Sequence, residues 1–151
     1  ECFGVLRARN FATAKGPLLE RHREKFKPDL VWNIEAGLKL TAEQIARAER
    51  QRVDLARRMD AFLHGYDLLL CPATIVAGYE FPNYVEWLSI AYGPTLCGVP
   101  AISLPCGFTG EKLPVGLQVI APTNEDGKAI AGARALETIL GLDTLKPVDP
   151  R

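Results

Sequence analysis

The side chains able to do covalent or proton chemistry are few and scattered. The chain holds two serines, Ser89 in WLSIA and Ser103 in AISLP, and two histidines, His22 and His64. Neither serine sits in the G-x-S-x-G turn that presents a nucleophile at a strand end, nor in a glycine- and serine-rich loop. A hydroxyl is a weak nucleophile until a base takes its proton. No base accompanies either serine in sequence, so a structural role is expected for both. His22 lies among charges, and His64 closes a helical pattern, where an imidazolium suits the negative end of the dipole. Cys2, Cys71, Cys97 and Cys106 form no C-x-x-C pair and no zinc spacing with the histidines. Neither a metal site nor a cofactor is expected. Glu125-Asp126 reads as the acidic start of a helix, and Glu35 and Glu86 stand alone, so the paired carboxylates of a glycosidase are missing. The glycines of GFTGEKLPVG do not make a phosphate cradle. What remains is an aromatic group, Tyr79, Phe81, Tyr84, Trp87 and Tyr92, between two apolar runs. It reads either as core packing or as the wall of a pocket at the end of a strand that feeds a crossover.

The elements that would position these residues change character near residue 66. Before it the pattern is helical. ECFGVLRARNFA already carries a helical spacing of Phe3, Leu6 and Phe11, as though the chain starts in mid-architecture. Gly16-Pro17 is expected to punctuate it before LLERHREKF resumes as a second helix. Pro28 then opens a third, with Asp29 in its first turn and Leu30, Val31, Ile34 and Leu38 as a stripe around Trp32. Thr41 and Gln44 have the spacing of a capping box and should start a long helix that Gly65 ends, with i,i+4 pairs Glu43–Arg47 and Asp54–Arg58. Its arginines Arg47, Arg50, Arg57 and Arg58 alternate with acids and read as a solvated face.

After Tyr66, DLLLC (67–71), AISLPC (101–106) and VGLQVIA (115–121) are short apolar runs of the kind that form strands covered on both faces. YVEWLSIAYGPTLCG (84–98) reads as helical at least through Tyr92. The first two strands with this helix suggest a parallel βαβ crossover, and the third strand an antiparallel neighbour. Thr123 to Asp126 should cap a last helix that Gly141 closes, and LKPVDPR is expected to be a surface tail.

Length and composition set the frame. At 151 residues one core is the default. Eighteen basic and eighteen acidic side chains cancel, which argues against nucleic acid or an anionic membrane as partner. No apolar run spans a bilayer. Three of the cysteines lie in apolar runs, where a free thiol packs as a small hydrophobe, and this usage suits a reducing cytoplasm.

Three ordered motifs carry a resemblance: YDLLLCPAT (66–74), LCGVPAISLPCGF (96–108) and LPVGLQVIAP (113–122), preceded by WNIEAGLKLTAEQIARAERQR (32–52). Together they resemble the C-terminal part of the amidase signature family, serine hydrolases that cleave carboxylic amides to acid and ammonia or amine. The resemblance implies an α/β fold: the C-terminal part of an α/β/α sandwich, with about three core strands in a mixed sheet flanked by helices. It implies one portion of that domain over 1–151, helical over 1–65, sheet with flanking helices over 66–141, and a tail over 142–151. In the family a Ser–Ser–Lys triad and a glycine- and serine-rich oxyanion segment do the chemistry. These precede the matched region, so no catalytic residue carries over, and the chain alone is expected to be inactive. The segment before the G-x-P-A-[IL]-S strand lines the acyl or leaving-group pocket, which by position implies Tyr84, Trp87, Tyr92 and Thr95 as substrate-binding residues and a small-molecule amide as substrate. The implied partner is the missing N-terminal catalytic part. A chain lacking it is expected to self-associate through its bare sheet edge. The alternatives are a non-catalytic interaction module that keeps the scaffold, and a component of an amidotransferase that works on charged tRNA.

Overall fold

A computed structural model describes residues 1–73 and 89–141. Its contacts divide the chain into two compact units, Glu1–Leu55 and Ala56–Arg151.

The first unit is helical. Helix α1 spans Cys2–His22 and is followed by a 3-10 turn at Arg23–Lys25. The break expected at Gly16-Pro17 does not occur. Pro17 lies inside α1, where its ring forgoes one N–H bond, and the helix is carried across it by packing. Gly16 is buried, with Leu38 about where an added Cβ would reach contact, at 3.9 Å. Helix α2, Pro28–Leu38, starts as the sequence indicates, with Pro28 at its first position and Asp29 in its first turn. Ile34 is fully buried, whereas Trp32 and Leu38 are both 62% exposed, so the stripe faces inward through Ile34 rather than around Trp32. Asn33 is buried too, and its amide donates to the Asp29 carbonyl at 2.9 Å. The crossing of α1 and α2 is tight because it is made by small residues. A Cβ on Gly37 would run into the Ala8 carbonyl and stand 2.8 Å from the Ala12 methyl.

Helix α3 spans Ala42–Leu63, and the boundary between the units falls within it. Its capping box is reciprocal: the Gln44 N–H donates to Thr41 Oγ1 at 3.2 Å, and the Thr41 N–H donates to Gln44 Oε1 at 2.9 Å. The ion pairs fall elsewhere than the i,i+4 spacing suggests. Arg47 reaches Glu1 at 3.1 Å, and Glu49 bridges Arg9 of α1 at 2.8 Å and Arg52 at 3.0 Å. The two guanidinium groups, Arg52 first, hold the Glu49 carboxyl below the usual carboxylate range.

The second unit is a three-stranded sheet: β1 Leu69–Pro72, β2 Ala101–Phe108 and β3 Pro114–Ile120, in the order β1-β3-β2. Both pairings are antiparallel, with Leu69 and Ala101 each opposite Ile120. The outer strands therefore run parallel to one another, as a crossover requires, but they are not neighbours; β3 occupies the place between them. A tight hairpin puts it there. The Thr109 N–H bonds to the Leu113 carbonyl (2.8 Å), Lys112 takes a left-handed φ of 63°, and a bulge between Pro105 and Gly107 adjusts the register. Helix α4, Ser89–Cys97, precedes β2, and α5, Asp126–Leu140, follows β3.

One sheet face is packed on α5. Leu104 and Val119 are buried against Ala133, with Leu68, Ile102, Leu117 and Leu136 around them. Gly132 permits the approach, since a side chain there would strike Leu68. On the opposite face Ile120 is fully buried, but Ala101, Ser103 and Pro105 are exposed, so β2 is not covered on both faces as its composition suggests. Helix α5 starts without a side-chain cap, in contrast to the expectation from Thr123 to Asp126, because Asn124 takes a left-handed turn (φ 64°). Its other end closes as expected: Gly141 at φ 65° donates to the carbonyls of Glu137 and Thr138.

Candidate functional site

The segment singled out for substrate binding leads into β2. Tyr84 and Trp87, with Tyr79, Phe81 and Glu86, lie outside the described residues. Tyr92 and Thr95 lie on α4, one turn apart. Tyr92 is half-buried and Thr95 exposed. The Thr95 hydroxyl donates to the Ala91 carbonyl at 2.8 Å, which uses its proton within the helix and leaves its oxygen as an acceptor. The position of α4 is fixed at its end by Gly98, whose φ of 69° suits a glycine and whose N–H donates to the Pro94 carbonyl at 3.0 Å. Val99-Pro100 then turns the chain into β2, and the Pro100 carbonyl accepts from the Ala121 N–H at 3.0 Å. Helix and strand thus share one anchored corner.

Ser103 is exposed, and among the described residues no base is hydrogen-bonded to it. Arg134 lines the groove beside it, but a guanidinium holds its proton and cannot act as a base. Across the sheet the Gln118 amide donates to Cys71 Sγ at 3.6 Å, and burial pushes the Cys71 thiol above its ordinary range. A thiol held protonated is a poor nucleophile. None of the four cysteines forms a disulfide, and all are half-buried, less hidden than their apolar runs suggest.

A feature that sequence reasoning does not reveal is a polar cleft of about 380 Å³ lined by His64, Tyr66, Asp67, Pro122, Glu125 and Lys128. The Lys128 ammonium and Asp67 carboxylate stand 3.6 Å apart, both well exposed. Its members come from two stretches remote in sequence, which the antiparallel pairing of β1 with β3, Leu69 opposite Ile120, brings together. Among the described residues no group of three or more His, Cys, Asp or Glu could hold a metal ion. No described helix is long and apolar enough to cross a membrane. The arrangement can supply walls and hydrogen-bond acceptors; the acylating centre is not assembled from described residues.

The sequence profile of the family described as Amidase matches residues 8–130. The acylamidase of Rhodococcus erythropolis is 27% identical over 143 residues, covering 86% of this chain and 30% of the relative. A component of the glutamyl-tRNA(Gln) amidotransferase of Alkaliphilus metalliredigens is 51% identical over 84 residues, covering 51% of this chain and 17% of the relative. A crystal structure of an amidase superposes with a TM-score of 0.86 at 29% identity, over 93% of this chain and 35% of that one. The chain thus spans no more than about a third of the length of these relatives. With the motifs, the fold and the profile in agreement over most of its length, the chain belongs to the amidase signature family.

Proposed function

We propose that these residues form the C-terminal portion of a cytoplasmic amidase that hydrolyses a carboxylic amide to acid and ammonia or amine. The acylating serine, its bridging serine and its lysine lie in another part of the polypeptide, and the 151-residue chain alone is inactive. The observation that carries the reading is a pair of coverages: the superposition on a solved amidase takes in 93% of this chain but 35% of that one. Four cysteines without a disulfide among them fit a reducing compartment. In this reading Tyr84, Trp87, Tyr92 and Thr95 line the acyl or leaving-group pocket, and the aromatic rings select a bulky or apolar amide.

Two assays test it. The purified chain should not turn over aryl or aliphatic amides, and turnover abolished by Ser103→Ala would overturn the claim of inactivity. A chimera in which the chain replaces the matching 30% of the Rhodococcus acylamidase should hydrolyse an acyl amide that the parent enzyme hydrolyses, with Tyr92→Ala raising KM. A folded chimera without activity would overturn the amidase reading.

A second reading, a portion of an amidotransferase component that keeps the scaffold, is favoured by the 51% identity to the Alkaliphilus protein. The same chimera separates the two, because only the amidase reading expects it to hydrolyse the parent's acyl amide.

A further inference from the structure

We draw no further inference here: the strongest candidate, the polar cleft that His64, Asp67, Glu125 and Lys128 line between the end of α3 and the N-terminus of α5, holds an exposed Lys128–Asp67 pair at 3.6 Å, and nothing among the described residues points to a ligand that would enter it.

Discussion

Around Gly37 two helices meet through a glycine, a main-chain carbonyl and a methyl group, whereas around Val119 a helix is held off a sheet by a layer of aliphatic groups. Both regions bury apolar surface, but they reach contact from opposite directions. The helical unit closes by subtraction: Ala8, Ala12 and Gly37 are small enough for main chains to approach. The sheet unit closes by addition, since Leu104, Val119, Ile102 and Leu117 fill the space under α5. The first should fail when atoms are added and the second when atoms are removed. This asymmetry is what mutation can break.

The largest effect should come from the sheet unit. Leu104 is 4% exposed at the centre of the cluster, and Leu104→Ala should cost about 3 kcal/mol through lost burial and a residual cavity. Urea unfolding followed by circular dichroism measures it. A loss below about 1 kcal/mol would mean that α5 collapses into the space left, contrary to a layer held at fixed spacing.

Next comes Gly37→Ala. In an ordinary helix this change stabilises by about 1 kcal/mol, because glycine is a poor helix former. Here the new methyl meets the Ala8 carbonyl, which is main chain and cannot rotate away. Overpacking of this kind costs about 1–3 kcal/mol, occasionally more, so the net effect, read from the same urea unfolding, should be destabilising by about 2 kcal/mol. A stabilised variant would show that α1 and α2 are free to separate. At Gly132 the obstacle is the tip of the Leu68 side chain, so Gly132→Ala should be tolerated better than Gly37→Ala.

Third, Thr41→Ala removes the hydroxyl that accepts the Gln44 N–H at 3.2 Å, and should cost about 1 kcal/mol. Thr41→Asn should restore most of it, which separates capping from any packing role of the threonine methyl.

These residues also show where sequence was informative. Thr41/Gln44, Pro28 and Gly141 act on groups within a turn of themselves, so their patterns could be read directly and they stand as expected. The three strands are likewise where continuous apolar runs put them. Their order is not, because a crossover fixes the relative direction of β1 and β2 but not whether a third strand slips between them. The uninterrupted α1 was hidden for a related reason. Gly16-Pro17 is a breaker by local rules, and what overrides it is the packing of α1 on α2, an element distant in sequence. Of the residues proposed to bind substrate, Tyr92 and Thr95 lie on one helix, which runs past Tyr92 to Cys97, while Tyr84 and Trp87 fall outside the described residues. The cleft lined by His64, Asp67, Glu125 and Lys128 had no signal, since nothing in either stretch points to the other.

The finest probe of the comparison is Cys71, on the sheet face opposite α5. Its thiol is raised above the ordinary range first by burial, while the Gln118 amide, donating to the sulfur at 3.6 Å, pulls the other way. A thiol whose folded value exceeds its unfolded one favours the fold at pH below the unfolded value. That contribution fades as pH rises through the folded one. Iodoacetamide reacts with the thiolate, so near the ordinary thiol value of about 8.5 Cys71 should label more slowly in the native chain than in urea, with mass spectrometry identifying the site. Gln118→Leu removes the amide that stabilises the thiolate and should slow native labelling further, by a small factor. Equal rates in native and unfolded chains would mean that this sheet face is open to water along its whole length, and the contrast with the face packed on α5 would then be larger than the buried Ile120 implies.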